Sequence, residues 1–189
     1  MRVVGGKHRG RPLATPVSGD IRPTSDRSRE AIFNILAHTE TYRTEHGPLP
    51  VGVNVVDAFA GTGALGLEAL SRGAAHVTFI DDDPAAQALL RRNIDAVKET
   101  ANATVLARDV TSPGPTNKPC HLALLDPPYR SDLAGPALAA LARNGWLAPG
   151  AIAVIELPAK GSFEPPAGFE VLDRRKYGRA QILFLAWEG

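Results

Sequence analysis

The segment Asp57-Ala58-Phe59-Ala60-Gly61-Thr62-Gly63-Ala64-Leu65-Gly66 joins two stretches of different apolar pattern. The residues Val53 to Phe59 are almost continuously apolar, which is typical of a strand buried on both faces of a sheet. The residues Ala64 to Arg72 predict a short helix, and Gly73 follows where a glycine often ends one. The three glycines of the segment have the spacing G-x-G-x-x-G, which allows a tight turn and a close approach of the backbone to a nucleotide. The segment therefore predicts a strand, a glycine turn and a helix beside a nucleoside site.

Asp81 lies 20 residues after Gly61, at the end of the next predicted strand, His76 to Asp81. An acid at this place can accept hydrogen bonds from both hydroxyls of a ribose. A purely structural role for the turn glycines, Gly61 and Gly63, is the alternative interpretation. Nicotinamide dinucleotides and S-adenosylmethionine both contain an adenosine ribose, so Asp81 is compatible with either cofactor.

Asp57 distinguishes between these cofactors. Its charge, four residues before Gly61, would repel a pyrophosphate but would attract an ammonium and a sulfonium group. The helix start at Gly63 can hold the amino-acid carboxylate of S-adenosylmethionine through backbone donors. Asp109, after a third predicted strand, is placed to accept a hydrogen bond from the adenine amino group. An ordinary loop acid is the alternative interpretation of Asp109.

Strands and helices alternate along the rest of the chain. Asp83-Pro84 predicts the start of a helix that runs to about Thr100, and Pro136 the start of another that ends at Gly145. The remaining predicted strands are Thr104 to Arg108, His121 to Leu125, Ala151 to Leu157 and an antiparallel pair, Phe169 to Arg174 and Gln181 to Trp187. Repeated strand–helix units predict an α/β fold with a parallel sheet between two layers of helices. Ligands bind such a sheet at the carboxyl ends of its strands, where the strand order reverses.

Asp126-Pro127-Pro128-Tyr129 follows the apolar run Leu122 to Leu125. Two prolines remove two backbone donors and fix φ, so the chain leaves the sheet stiff and extended. A carboxylate, a free carbonyl and an aromatic face are thereby held together, and they suit a planar ring that carries an amino group. A plain turn after a strand is the alternative interpretation.

An aromatic amine is a weak nucleophile because its lone pair is delocalised into the ring. Hydrogen bonds from its two N–H groups to Asp126 and to the Pro127 carbonyl would favour a tetrahedral nitrogen whose lone pair faces a methyl donor. Tyr129 would stack on the base. A nucleobase can reach such a site only when it is unpaired or flipped out of its stack.

The chain has 189 residues, of which 44% are hydrophobic and 22% charged, as expected for one soluble domain. It contains no apolar run long enough to cross a membrane and no secretory signal, so we expect a cytoplasmic protein. The single cysteine, Cys120, excludes an internal disulfide and is interpreted as a buried apolar residue. The five histidines show no metal-ligand spacing, and no metal is expected.

Positive charge is concentrated near the amino terminus. Residues 1 to 30 carry seven basic and three acidic side chains, a net of +4 in a chain of net +1. This distribution predicts a polyanionic partner, and a solvated, partly disordered terminus is the alternative. We divide the chain into a basic extension, residues 1–20, and one domain, residues 21–189. The residues expected to contact RNA are Arg2, Lys7, Arg9, Arg11, Arg22 and Arg27.

A helix is predicted from a cap at Ser25 to about His38. Arg22, Arg27 and Arg29 could bind phosphate or close over the cofactor. Surface ion pairs with Asp26 and Glu30 are the alternative. A second basic group (Arg174, Arg175, Lys176 and Arg179) surrounds the predicted turn Tyr177-Gly178 and is either a further RNA contact or an ordinary charged turn. Trp146 and Trp187 are interpreted as core residues.

Several of these motifs together resemble the RsmD family. They are Arg22-Pro23-Thr24, the helix segment Arg27-Ser28-Arg29-Glu30-Ala31-Ile32-Phe33-Asn34, the glycine block Asp57 to Gly73 and Asp126-Pro127-Pro128-Tyr129. The resemblance extends in register from about residue 1 to the last strands. Members of this family are S-adenosylmethionine-dependent methyltransferases that act on the exocyclic N2 of a guanine in small-subunit (16S) ribosomal RNA.

The resemblance implies a Rossmann-like sheet of seven strands, mostly parallel with an antiparallel C-terminal strand, and a small N-terminal hairpin extension that contacts ribosomal RNA. It implies cofactor contacts at Asp57, Phe59, Gly61, Gly63, Asp81, Asp109 and Asp126, and amine contacts at Asp126, Pro127 and Tyr129. It also implies a substrate within an assembled or assembling small ribosomal subunit. One departure is Asp81, because such enzymes commonly have the longer Glu at this position.

Three other functions remain open from the sequence. A DNA adenine-N6 methyltransferase shares the tetrapeptide, but no part of the chain is left to form a domain that reads DNA sequence. A nicotinamide-dependent oxidoreductase would share the glycine turn, but Asp57 and the double proline disfavour it. A non-catalytic RNA-binding assembly factor would keep the cofactor site without turnover.

Overall fold

The apolar run before the glycine turn forms β3 (Asn54–Ala58), an inner strand of a seven-stranded sheet. The structure is a computed structural model that describes residues 1–16, 25–128 and 132–189. The other strands of the sheet are β4 (His76–Asp81), β5 (Ala103–Ala107), β6 (Cys120–Leu125), β7 (Leu147–Pro158), β8 (Phe169–Tyr177) and β9 (Ala180–Trp187). The helices are α1 (Asp26–His38), α2 (Ala64–Ser71), α3 (Pro84–Val97) and α4 (Ala134–Arg143).

The strand order is β5-β4-β3-β6-β7-β9-β8. The strands β5 to β7 pair in parallel, and β9 runs antiparallel to both of its neighbours, β7 and β8. The chain builds outward from β3 to β5 and then returns to place β6 on the other side of β3. The order of strands therefore reverses between β3 and β6. This arrangement confirms the predicted α/β class and the mostly parallel sheet with an antiparallel strand near the carboxyl terminus.

Apolar side chains cover both faces of the sheet. On one face, Phe33 of α1, Leu67 of α2 and Leu90 of α3 belong to one core cluster. On the other face, Leu138 of α4 packs in a second cluster with Trp146. Each buried side chain of this size stabilises the fold by about 1.5–3 kcal/mol relative to its exposed state. The sheet is therefore held rigidly from both sides, which fixes the positions of the loops at its edges.

Most predicted bounds are confirmed within a few residues, and three differ for physical reasons. The third helix ends at Val97 because Lys98 adopts a left-handed conformation, with φ of 61°. The fourth helix begins at Ala134, so Pro136 lies in its first turn, where a missing N–H leaves no helical hydrogen bond unmade. The strand β7 begins at Leu147 rather than Ala151, with a shift of register opposite Cys120 and Leu122.

The start of α1 agrees with the prediction, and a short hairpin follows this helix. The helix α1 begins after Ser25, whose hydroxyl accepts a hydrogen bond from the backbone of Ser28 at 3.0 Å, as predicted. Residues 40–51 contain a short hairpin of β1 (Arg43–Thr44) and β2 (Gly47–Pro48). This hairpin forms a separate two-stranded sheet.

Residues 1–16 fold back on themselves and pack against the body of the domain. The backbone of Val3 donates to Arg11 at 3.0 Å and accepts from Gly10 at 2.9 Å, while the side chains of Val3 and Leu13 are buried. The backbone N–H of Val4 donates to the buried carboxylate of Glu68 in α2 at 2.8 Å. The extension thus contributes two residues to the core.

Lys7 and His8 are fixed by Glu99, which follows α3. The Glu99 carboxylate is 2.6 Å from the Lys7 ammonium and 2.5 Å from His8 Nε2. Burial raises the pKa of Glu99, but hydrogen bonds from Asn102, Lys7 and His8 outweigh burial and lower it overall. This contact lies at the carboxyl ends of α2 and α3, because His8 also donates its backbone N–H to Ser71 at 2.9 Å. It is therefore at the edge of the sheet opposite the glycine turn.

Candidate active site

The glycine turn and the Asp126-Pro127-Pro128 segment leave the sheet side by side. The strands β3 and β6 are parallel neighbours, and Ala58 is in register with Leu125. Adjacent strands are roughly 4.8 Å apart, so the two loops that follow them meet at the carboxyl edge. This is the point at which the strand order reverses, where α/β proteins bind ligands.

The glycine turn has a backbone that only some residues can adopt. Gly61 and Gly63 have φ values of 53° and 79°, and Phe59 shares the left-handed region with φ of 60°. A non-glycine residue in this region is uncommon and marks a tightly determined loop. Gly63 is further restricted because a Cβ atom there would lie 2.3 Å from Leu90 Cδ1.

Gly66 is needed for packing rather than for backbone conformation. A Cβ atom at this position would lie 2.3 Å from Phe79 Cε1 and 2.8 Å from Val77 Cγ1, both in the core of β4. The close approach of α2 to the sheet also lets the Gly66 N–H donate to Asp57 Oδ2 at 2.8 Å.

We expect Gly66→Ala to lower the free energy of unfolding by about 1–3 kcal/mol, because overpacking a rigid core forces side chains out of their preferred rotamers. Gly135→Ala is the matched control, since Gly135 is also helical but a Cβ atom there meets nothing within 4 Å. The control should be neutral or more stable by up to about 1 kcal/mol. Urea unfolding of both variants measures the difference, and equal stabilities would contradict the packing argument.

Asp57 is almost completely buried, with 1% of its surface exposed. Burial raises the pKa of its carboxyl group well above the usual range, and the negative charges of Asp126 and Asp81 raise it further, while the Gly66 hydrogen bond opposes them. Three carboxyl groups therefore act on one small region beside the glycine turn. Such a region favours a cationic ligand and disfavours an anionic one.

Asp81 holds the glycine turn in place. Its Oδ2 accepts from the Gly61 backbone at 2.7 Å, and its Oδ1 accepts from the Asp83 backbone at 2.9 Å. Burial raises the pKa of Asp81, and the nearby charges of Asp82 and Asp83 also raise it, against the two hydrogen bonds. Each carboxylate oxygen has a further lone pair, so these bonds leave room for a ribose hydroxyl.

Asp109 follows β5 and is exposed. Its Oδ1 accepts from both the backbone N–H and the hydroxyl of Thr111, each at 2.8 Å. This local turn is the geometry expected of a loop acid, and Oδ2 takes no part in either of these bonds. Asp109 is two strands away from β3 at the same edge of the sheet.

The residues after β6 differ in exposure. Asp126 is half-buried, Pro127 is buried and Pro128 is exposed. Asp126 follows Leu125, which is in register with Ala58 beside Asp57, and the negative charge of Asp126 raises the pKa of Asp57. Tyr129, predicted to stack on the base, lies outside the described residues.

The predicted RNA-contact residues occupy several surfaces. Arg9, Arg11 and Arg27 are exposed. Arg2 is 3.8 Å from Asp26, and the charge of Lys7 faces Glu99. Arg22 lies outside the described residues.

Arg29 forms the predicted ion pair with Asp26, but its side chain is fully buried rather than at the surface, where it could meet a phosphate. It donates to Asp26 Oδ1 at 2.6 Å and to the carbonyl of Arg2 at 2.6 Å. Burial of an arginine requires such partners, and here they connect α1 to the extension.

Asn93 is a functional candidate that no sequence pattern marks. This buried residue of α3 donates to the carbonyl of Thr62 at 2.9 Å and accepts from the backbone of Ala14 at 2.8 Å. It thereby connects the glycine turn to the extension. A groove of about 790 Å³ lies beside this contact, and its lining includes Thr15, Gly61, Thr62, Leu89 and Arg92.

Other predicted features have structural roles. Cys120 is buried, and burial raises the pKa of its thiol to about 12, so it stays protonated at neutral pH. Trp146 is buried and donates its indole N–H to Gly114 at 2.8 Å, and Trp187 packs against Phe169. In the described part of the chain, no helix is long and apolar enough to cross a membrane, and no group of three acidic, histidine or cysteine side chains could hold a metal ion.

Comparisons with known proteins agree with this architecture. The family model described as "Conserved hypothetical protein 95" matches residues 1–186. The chain is 38% identical over 156 residues to the "Ribosomal RNA small subunit methyltransferase D" of Escherichia coli strain K12, a match that covers 82% of this chain and 74% of that protein. It is 32% identical over 182 residues to the protein of the same name from Haemophilus influenzae, covering 94% and 89%.

Two solved structures show the same fold over the whole chain. A "putative methyltransferase" from Escherichia coli superposes with a TM-score of 0.82 at 35% identity and covers 100% of this chain and 98% of its own. A "putative methylase" from Haemophilus influenzae gives a TM-score of 0.79 at 29% identity with the same coverage. With sequence, fold and motifs in agreement, this chain belongs to the RsmD family.

Proposed function

We propose that this protein transfers a methyl group from S-adenosylmethionine to the exocyclic N2 amine of a guanine in small-subunit ribosomal RNA. The observation that carries the proposal is the meeting of Asp57, Asp126 and the glycine turn where β3 and β6 end. The names of the relatives support ribosomal RNA as the substrate.

The residues at this edge suit S-adenosylmethionine. The buried Asp57, with its pKa raised by burial and by its acidic neighbours, favours a ligand that carries positive charge. Asp81 would bind the ribose, the remaining oxygen of Asp109 the adenine amino group, and the loop residues Phe59, Gly61 and Gly63 would surround the cofactor. When bound, this cofactor supplies a methyl group activated by a positively charged sulfur. A pyrophosphate would meet three carboxyl groups, which argues against a nicotinamide dinucleotide.

Asp126 and the Pro127 carbonyl would bind the two protons of the guanine amine. The rigid Pro127-Pro128 backbone keeps both acceptors fixed, so the nitrogen lone pair is oriented before the reaction. The Asp126 carboxylate stabilises the positive charge that develops on nitrogen, and it can accept the proton that becomes acidic afterwards. Tyr129 would stack on the base and hold it out of its helix.

The partner would be 16S ribosomal RNA in an assembled or assembling small subunit, in the cytoplasm. The exposed Arg9, Arg11 and Arg27, together with Arg2 and Arg22, would contact RNA phosphates. Lys7 would contribute less, because its ammonium is paired with Glu99.

Offering the protein labelled S-adenosylmethionine with small subunits, free 16S RNA and duplex DNA tests the substrate class. We expect methyl incorporation into the small subunit or its RNA and none into DNA. Incorporation into DNA alone would favour the adenine-N6 alternative, and calorimetry with a nicotinamide dinucleotide should give no binding heat.

A further inference from the structure

The turn between β8 and β9 lies at the same edge of the sheet as the candidate site. Because β9 is antiparallel to β7, Pro158 at the end of β7 pairs with Ala180 at the start of β9. Tyr177 at the end of β8 pairs with the same residue. The intervening Gly178 and Arg179 therefore project from the carboxyl edge, where Asp126 also lies.

This turn carries concentrated positive charge. Arg174, Arg175, Lys176 and Arg179 are all exposed. Residues 173–179 contain these four basic side chains and one acid, Asp173, a net of +3 in a chain of net +1. Lys160 is exposed beside them, since the backbone of Ala159 donates to the Arg179 carbonyl at 2.8 Å.

Only part of this charge is neutralised within the protein. Asp173 forms an ion pair with Arg175 at 2.8 Å, and Arg174 contacts Gln181 at 3.5 Å. Within residues 1–16, 25–128 and 132–189, Lys176 and Arg179 form no ion pair. Their charges are therefore available to an anionic partner.

The distance between the basic turn and the loop after β6 is compatible with one nucleic acid that contacts the turn and also places the reacting base in the site. β8 is three strands from β6, roughly 14 Å across the sheet at the usual strand spacing. A base bound at Asp126 would leave the phosphates of neighbouring nucleotides within that range. The Lys7 region of the extension, in contrast, lies at the opposite edge.

We propose that Lys176 and Arg179 of this turn bind the RNA phosphate backbone beside the methylated guanine, and so position the substrate at the carboxyl edge. The identity of the base in this proposal rests on the proposed function. The binding of RNA by the turn does not depend on it. The salt dependence of RNA binding reports the number of phosphate contacts, because release of counterions from phosphates makes log affinity fall linearly with log salt.

The test uses Lys176→Gln with Arg179→Gln in one variant of the whole chain. Its matched control is Lys98→Gln with Lys118→Gln, which removes two exposed positive charges that lie after α3 and before β6, at the opposite edge. The affinity of each protein for 16S RNA is measured by fluorescence anisotropy at several salt concentrations. For the turn variant we expect about 10-fold weaker binding and a slope of log affinity against log salt reduced by about 2, one for each lost phosphate contact. The control should change less than twofold.

A second readout is steady-state methylation of small subunits. The turn variant should raise KM for the subunit while keeping kcat and the affinity for S-adenosylmethionine, which also shows that it is folded. Unchanged affinity and slope in the turn variant would overturn the proposal, as would equal losses in both variants, because the effect would then reflect net charge alone. Failure of the wild-type protein to transfer methyl groups would refute the proposed function, yet the RNA-binding difference would still decide this inference.

Discussion

Replacing Asp126 by alanine is expected to lower kcat for methyl transfer by about 10²–10³-fold, the loss typical when one group that stabilises developing charge is removed. The carboxylate follows β6 directly, next to the glycine turn, and would bind one amine proton while the nitrogen becomes positive. Asp126→Asn should also lower kcat, because asparagine provides no negative charge. Its amide oxygen can still accept a hydrogen bond, so this variant isolates the effect of the charge. Rates of transfer to small subunits at saturating cofactor measure both effects.

The control for this prediction is Asp95→Ala. Asp95 is exposed on α3, so its removal changes the net charge equally without affecting the candidate site. S-adenosylmethionine should still bind to the Asp126→Ala protein, with a loss of affinity much smaller than the loss of kcat. Full activity in the Asp126→Ala variant would refute the role given to this carboxylate.

Asp57→Asn is expected to weaken S-adenosylmethionine binding by about 10- to 100-fold, because a hydrogen bond or contact to a charged group contributes about 1.5–3 kcal/mol. Asparagine can still accept the Gly66 hydrogen bond, so the start of α2 should keep its position. Adenosine, which carries neither the sulfonium nor the ammonium, is the control ligand, and its affinity should change little. Calorimetry with both ligands measures the contrast, and an equal loss for adenosine would show that the variant had only disturbed the fold.

The same substitution should change the pH dependence of stability. The folded pKa of Asp57 is raised above the unfolded value, so its contribution to stability is greatest below the unfolded pKa and falls as pH rises toward the folded pKa. Asp57→Asn should therefore gain stability relative to wild type as pH rises above about 4. In the wild type, S-adenosylmethionine should bind more tightly as pH rises, because the ionised carboxylate favours a cation. A wild-type affinity that does not vary with pH would contradict this electrostatic role.

The sequence predicted the architecture well because its strongest signals are local. Continuous apolar runs mark β3 and β6, and the glycine spacing marks the turn between β3 and α2. The start of β7 was harder to predict from the sequence, because Pro149-Gly150, a pair typical of a turn, separates Leu147 and Ala148 from the rest of the strand. Pairing with Cys120 across an irregular register includes them in the sheet.

The predicted parallel sheet implied that the glycine turn and Asp126 would be neighbours, whereas the contacts of individual side chains could not be predicted. Asp81 was expected only to bind the ribose, yet its carboxylate also accepts a hydrogen bond from Gly61 and so stabilises the glycine turn. No sequence pattern marked Asn93 or the burial of Arg29, since burial of a polar side chain depends on partners distant in sequence, here Ala14 and Arg2. The tertiary contacts of the extension, rather than its composition, decide which of its charges face outward.

Identification of the methylated nucleoside tests the central claim most directly. Ribosomal RNA methylated by the wild-type protein with labelled S-adenosylmethionine would be digested to nucleosides and analysed by mass spectrometry. We expect the label in N2-methylguanosine, incorporated about 10²–10³-fold more slowly when the Asp126→Ala protein is used. Label on a ring nitrogen, a ribose hydroxyl or adenine would contradict an amine held between the Asp126 carboxylate and the Pro127 carbonyl.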